Sequence, residues 1–358
     1  MRPIFHRHAA HCILPPHILR NIATNAASKE LRDFAIQALD LDHTLRTSRL
    51  SFTLSGGLQL HQQAQAAVGP QEKRTIYDDK QTQNLPGTLV RAEGQPPVAD
   101  NAVNQAYDGL GDTFDFYLAA YNRNSIDNAG LALEATVHFG QKYDNAFWNG
   151  QQMVFGDGDG VIFTGFTGCT DVIGHELTHG VTGSEANLRY QGQPGALNES
   201  ISDVFGSLVK QFSASPKQTA TQADWLIGAG LLAPGIHGVA LRSMKAPGTA
   251  YDDPTLGKDP QPADMAHYVH TLQDNGGVHT NSGIPNHAFY LAATSIGGYA
   301  WEKAGKIWYD TLLDHNLKPS ANFSRFAQLT IAHAGVLYGA NGIEQKAVQD
   351  AWRQVGVK

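Results

Sequence analysis

The segment DVIGHELTHGVTG, residues 171–183, constrains this 358-residue chain more than any other. It sets His175 and His179 four positions apart, so that on a helix both imidazoles share one face, at a separation that a single tetrahedral ion can bridge. Glu176 stands one residue past the first histidine and can reach a metal-bound water without itself ligating the metal. Gly180 is expected to limit the helix just beyond the second imidazole. Two histidines at helical spacing can arise by chance, so much of the weight falls on a second segment, GALNESISDVFG. There Glu199 follows His179 by 20 positions and sits on another expected helix, with Asp203 one turn later. A His-His-Glu set leaves the fourth zinc position to water, as catalytic sites do.

The rest of the chain gives this pattern a two-lobed setting. Residues 13–40 carry Ile18, Leu19, Ile22, Leu31, Phe34, Ala35 and Leu39 at helical spacing after a Pro-Pro entry, and read as a short helical module. From about 45 to 100 the composition turns to Ser, Gln, Gly, Thr and Pro, as in a linker followed by loose strands and turns. Between 104 and 170 a helix alternates with β-like runs, and 152–166 is expected to fold back over its Asp-Gly turn. After 170, Ala-rich amphipathic segments dominate. The fold class is therefore α+β, with a mixed, β-rich lobe followed by a mainly helical one.

Formal net charge is −7, which disfavours nucleic acid as a partner, and no run approaches the roughly 18 apolar residues of a membrane span. Cys12 and Cys169 can pair at most once, so no disulfide framework holds the fold. The N-terminus lacks the apolar core and cleavage site of a Sec signal peptide. Secretion by a route not visible in the sequence and residence in the bacterial cytoplasm both stay open.

HELTH, NESISD and the spacing between them resemble the thermolysin family of zinc metallopeptidases. The resemblance extends to NAFWNGQQMVFGDGDG at 145–160, ANLRYQ at 186–191, LRSM at 241–244 and DNGGVHTNSGIPN at 274–286, and covers about residues 75–358. It implies a zinc cleft between the two lobes and an endopeptidase; related aminopeptidases carry one residue fewer between the second His and the Glu. Zinc would lower the pKa of its bound water, with Glu176 accepting the proton as general base and passing it to the leaving amine. By resemblance, Tyr190 and His279 steady the negative charge of the tetrahedral intermediate, with Asp274 orienting the His279 ring. Asp203 is expected to accept the spare N–H of His175. Asn145, Ala146 and Arg242 would hold the substrate backbone, and Phe163, Val172 and Leu241 would line an apolar pocket, so that cleavage falls before Leu, Phe, Ile or Val. The partners are then protein or peptide substrates, and a monomer is expected.

Two departures matter. Where the family often builds a double calcium site, this chain has Lys210, Leu226 and Ala229, with only Asp224 keeping a carboxylate, so that site is expected to be absent. GDGDG at 156–160 is not an EF-hand, because Gly168 stands where a bidentate Glu is needed, and a hairpin turn is expected instead. The segment HCILPPHIL resembles the short propeptide of the protealysin subgroup. That implies a zymogen with its propeptide at 1–50, the boundary left open to about 70. A linker and maturation region at 51–75, an N-terminal lobe at 76–183 and a C-terminal lobe at 184–358 follow. Residues around Pro15, Pro16 and Ile18 would occupy the cleft, and Cys12 would approach the zinc as a thiolate. A catalytically silent zinc module, the rival reading, would be expected to lose Glu176, Tyr190 or His279. A peptide-processing enzyme of narrow specificity is not separable from a general protease at this level.

Overall fold

The computed structural model describes residues 11–54 and 69–358. The first ten residues, read above for an export signal, and the middle of the expected linker at 55–68 lie outside the described residues. The N-terminal module is not one helical run. Strand β1 (His11–Cys12) is followed by a bend at Ile13 and Leu14, then by α1 (Pro16–Asn25) and α2 (Lys29–Leu54). Pro16 opens α1 in the first turn, where its missing N–H costs nothing, and the Ser28 hydroxyl accepts from the Glu30 N–H to start α2. Ile18, Leu19 and Ile22 on α1 are fully buried, as their spacing suggested.

A six-stranded sheet forms the N-terminal lobe: β1, β2 (Arg74–Asp78), β3 (Thr88–Ala92), β4 (Leu133–Val137), β5 (Ala146–Trp148) and β6 (Met153–Phe155). Their order across the sheet is β1-β5-β6-β4-β2-β3. The β4 pairings with β2 and β6 are parallel and the others antiparallel. Strand β5 would therefore be an edge were it not covered by β1 from the N-terminal segment. Helix α3 (Asn101–Tyr121), whose first amides are capped by the Asp100 carboxylate, packs against β2, β4 and the next helix.

The turn assigned to GDGDG lies elsewhere. The hairpin joins β5 to β6 through residues 149–152, and GDGDG instead forms a loop in which the Asp159 carboxylate accepts from the N–H groups of Val161, Ile162 and Phe163 at 2.7–3.1 Å. With its amides bound to that side chain, the loop turns away, and Phe163 bridges Leu232 in the other lobe.

After residue 170 the chain is mainly helical, as expected: α4 (Thr170–Ser184) closes the first lobe, and α5 (Gly192–Ser213), α6 (Asp274–Asn281), α7 (Gly283–Ile296), α8 (Ala304–Leu312), α9 (Phe323–Tyr338) and α10 (Ile343–Gln354) build the second. Short strands β7 (Leu226–Ile227) and β8 (Arg242–Ser243) pair between α5 and α6. Helix α4 does not stop at Gly180 but runs on to Ser184. Gly180 serves packing instead, since a Cβ there would lie 2.5 Å from Ile126 Cγ2. Helices α4 and α5 touch backbone to backbone. A Cβ on Gly206 would sit 2.4 Å from the Asp171 carbonyl oxygen, and one on Gly174 would sit 3.1 Å from Gly206 Cα. No helix among the described residues is long and apolar enough to cross a membrane.

Candidate metal centre

That close approach carries Glu199 on α5 to the two histidines of α4. His175 Nε2 and His179 Nε2 lie 3.0 Å apart, and the Glu199 carboxylate stands 3.5 Å from the first and 3.6 Å from the second. These three are the described residues whose ligand atoms gather closely enough to hold a metal ion, and all are buried. The imidazoles are turned by what grips their other nitrogens. His175 Nδ1 meets Asp203 Oδ1 at 2.8 Å, while His179 Nδ1 meets Asn198 Oδ1 at 2.8 Å and the Ser202 hydroxyl at 3.0 Å. Both Nε2 atoms are thereby aimed at the same point. Glu199 Oε2 is buried without a hydrogen-bond partner, an arrangement costly for a carboxylate unless a cation completes it. The donor set therefore fits zinc.

Asp203 holds more than one ring. Its carboxylate also accepts from Arg242 Nε and Nη2 at 2.8 and 2.7 Å and from Asn286 Nδ2 at 2.8 Å. Burial pushes its pKa up, but the Arg242 charge and the His175 bond outweigh that and hold it well below the usual carboxylate range. Glu176 lies in the same buried floor, with Oε2 accepting from the Trp148 N–H of β5 at 3.0 Å.

Opposite the metal ligands stand Tyr190 and His279, the hydroxyl 3.2 Å from His279 Nε2 and hydrogen-bonded to Glu199 Oε1. Asp274 Oδ1 meets His279 Nδ1 at 2.7 Å, and Oδ2 accepts from the His279 amide at 2.9 Å. The reach is made by four successive residues with positive φ, Asp274 to Gly277, between 50° and 84°. Glycine fills the last two, where a side chain would add strain to an already left-handed turn.

The N-terminal segment lies across this floor. Cys12 O faces His279 Nε2 at 3.1 Å, the Ile13 N–H donates to Ala146 O at 3.2 Å, and Ile13 O accepts from Arg242 Nη1 at 3.0 Å. The Leu14 N–H donates to Asn145 Oδ1 at 3.1 Å. The residues picked as substrate-backbone holders thus grip the chain's own N-terminal segment. Phe163, Val172 and Leu241 belong to the same buried apolar core as Ile13 and Leu14; Pro15 is buried and Pro16 half-buried. The His175–His179–Glu199 group does not include the Cys12 sulfur, and the Cys12 carbonyl is held at His279.

Sequence reasoning passed over four members of the site. Asn198 and Ser202 carried a signal, being four apart on the Glu199 helix and so on one face. Asn286 ends the quoted DNGGVHTNSGIPN stretch but was given no role there, and Asp42 carried no signal. Asp42, on α2, accepts from Asn145 Nδ2 at 2.7 Å and from the Tyr143 hydroxyl at 2.8 Å, a contact spanning about a hundred residues of sequence.

A buried His-His-Glu site, with a glutamate beside its two histidines and a Tyr-His pair facing them, defines a metal-dependent hydrolase. The chain belongs to the thermolysin metallopeptidase family: the family's catalytic domain matches residues 40–183 and its alpha-helical domain residues 186–357. It is therefore a zinc-dependent metalloendopeptidase. It is 54% identical over 346 residues to an extracellular metalloprotease of Pectobacterium carotovorum subsp. carotovorum, covering 97% of this chain and 96% of that one. It is also 50% identical over 353 residues to protease PrtS of Photorhabdus sp. (strain Az29), covering 97% and 92%. Among solved structures it resembles the precursor of protealysin, a metalloproteinase from Serratia proteamaculans, at 55% identity and a TM-score of 0.87, covering 97% of this chain and all of that one.

Proposed function

We propose that the chain is a self-inhibited precursor of a secreted endopeptidase that cuts on the amino side of bulky apolar residues, with Glu176 as the proton carrier. Zinc held by His175, His179 and Glu199 would supply a water of lowered pKa and a Lewis acid for the scissile carbonyl. Glu176, fixed by the Trp148 amide, takes the proton of the attacking water and hands it to the departing amine. His279, its ring held by Asp274 through Nδ1, points an Nε2–H at the substrate carbonyl. Tyr190 adds a hydroxyl, so the developing oxyanion meets donors already in place. Arg242 and Asn145 hold the peptide on the amine side of the cleaved bond, and Phe163, Val172 and Leu241 supply the apolar lining that selects its first residue there. Secretion follows the names of the relatives.

The observation that carries the zymogen reading is the main-chain bonding of Cys12, Ile13 and Leu14 to His279, Ala146, Arg242 and Asn145. Inhibition is attributed to that backbone, with residues 1–50 as propeptide, rather than to a Cys12 thiolate on the metal; Cys12→Ala should remain latent. Casein digestion by the matured protein, with and without a zinc chelator and beside Glu176→Ala, tests the reading. Activity is expected to vanish in both controls while Glu176→Ala keeps its zinc. Proteolysis that survives Glu176→Ala overturns it.

A further inference from the structure

The N-terminal segment obeys one register across the cleft. Strand β1 runs antiparallel to β5, with His11 opposite Trp148 and Cys12 opposite Phe147. From the Cys12 carbonyl to the Leu14 amide, each of four consecutive main-chain polar groups is met by a different group of the site: His279, Ala146, Arg242 and Asn145. A carbonyl that is to be attacked must face the oxyanion donor, and the one that does so is Cys12's. The amine that is to leave is then Ile13's. The Glu176 carboxylate is held at Trp148, one ladder position from Cys12. Ile13, on the amine side, is 0% exposed in the apolar core that includes Phe163, Val172 and Leu241. A shift of one residue would exchange every group facing the site for one facing away.

We infer that Cys12–Ile13 is a scissile bond of the enzyme's own chain, so that the propeptide inhibits as a bound, slowly cut substrate rather than as an inert plug. This rests on the peptidase function proposed above. The cut is an ordinary hydrolysis: water gives its oxygen to the Cys12 carbonyl carbon, the C–N bond breaks, and both water protons end on the Ile13 nitrogen, leaving a Cys12 carboxylate and an Ile13 ammonium. The slowness comes from an amine that stays. After the break, Ile13 and Leu14 remain tied to Arg242 and Asn145, and the stiff Pro15–Pro16 pair joins them to α1. That helix is anchored by Ile18, Leu19 and Ile22, by Asn21 Nδ2 donating to Leu256 O at 2.6 Å, and by His17 Nε2 at 2.7 Å from the Tyr251 hydroxyl. An amine held against the carbonyl it left has an effective concentration far above that of free product, and the bond re-forms. Nicked and intact precursor interconvert, and latency outlasts the first cut.

The full chain and its Glu176→Gln variant are incubated side by side, and all N-termini, in intact protein and released fragments, are read by mass. Species beginning at Ile13 are expected in the wild type at tenfold or more over Glu176→Gln, and Ile13→Asp should reduce them by at least as much. Hydrogen exchange on the Glu176→Gln chain gives a readout free of activity. The Ile13 and Leu14 amides should exchange a hundredfold or more slower than free peptide, and the protection should vanish when Ile13→Asp is added. A casein-degrading wild type with protected amides but no Ile13 terminus overturns the scissile bond and leaves the peptidase standing. Fast exchange at both amides overturns the register. Absence of casein digestion overturns the proposed function, and this inference with it.

Discussion

Asp203 and Arg242 form a fully buried ion pair that does two tasks at once. The carboxylate orients His175 on one side, and on the other it fixes a guanidinium whose remaining nitrogen reaches Ile13 O. Breaking such a pair leaves an uncompensated charge in the interior, which costs about 3–5 kcal/mol. Asp203→Asn should therefore lower unfolding stability by that order, and zinc affinity by about 10–100-fold because His175 loses its fixed tautomer. Denaturant unfolding and chelator competition measure the two. Because the carboxyl's folded-state pKa lies below its unfolded one, its contribution is complete above the unfolded value and is lost as pH falls through the folded one. Asp203→Asn should accordingly matter at neutral pH and fade in strong acid. Tyr190→Phe tests the oxyanion-donor role proposed for that hydroxyl, as against a substrate-binding contact. Its expected signature is a kcat lowered by about 10²–10³ with KM little changed, read in steady-state peptide hydrolysis.

Between elements, the α4–α5 contact decides whether three ligands become one site. Gly206→Val would force side-chain atoms into the space of the Asp171 carbonyl and push α5 away, at a cost of about 1–3 kcal/mol. Zinc content after dialysis should fall with stability, whereas an equally destabilising change in α9 or α10 should leave zinc content alone. A second junction is pH-dependent. His138 joins the Asp157 loop to Asp100, the cap of α3, at 2.7 and 2.8 Å, and the Asp157 and Asp100 bonds, against burial, raise its pKa to about 9. Stability from this junction is complete below the unfolded histidine value of about 6.5 and is lost as pH rises through about 9. Urea unfolding at pH 6 and pH 10 should show wild type and His138→Ala converging at the higher pH. The helical segments of the second lobe were legible because apolar periodicity survives in one sequence. The role of Gly180 was not, since a helix stop and a close-packed glycine look alike until Ile126 is beside it. The GDGDG loop was misread because Asp159 took the amides that a hairpin needs.

At the scale of the whole molecule, one lysine joins three elements, in the stretch where the double calcium site is expected to be absent. Lys210 Nζ lies 3.0 Å from Asp171 Oδ2, 3.0 Å from Asp224 Oδ1 and 2.9 Å from Leu226 O, tying α4, α5 and β7 together. Burial lowers the Lys210 pKa, and the two carboxylates more than restore it, so the ammonium stays charged. A covalently attached cation cannot be chelated. A calcium-selective chelator should leave the melting temperature unchanged, while Lys210→Met should lower it by several degrees, both read by thermal unfolding. That His175, Glu176, His179, Glu199, Tyr190, Asp274 and His279 come together could be expected in advance because each sits in a short stretch of fixed spacing. Asp42 could not, because its partners Tyr143 and Asn145 become neighbours only once the N-terminal module has docked. That docking has a consequence beyond catalysis. With β1 removed, β5 exposes its free N–H and C=O groups along a cleft shaped to take an extended peptide, the same surface that lets misfolding chains stack into aggregates. A chain that covers this strand with its own eleventh and twelfth residues leaves no open edge at β5. Loss of that cover should then show itself first as insolubility of the freshly translated protein, before any effect on proteolysis is seen.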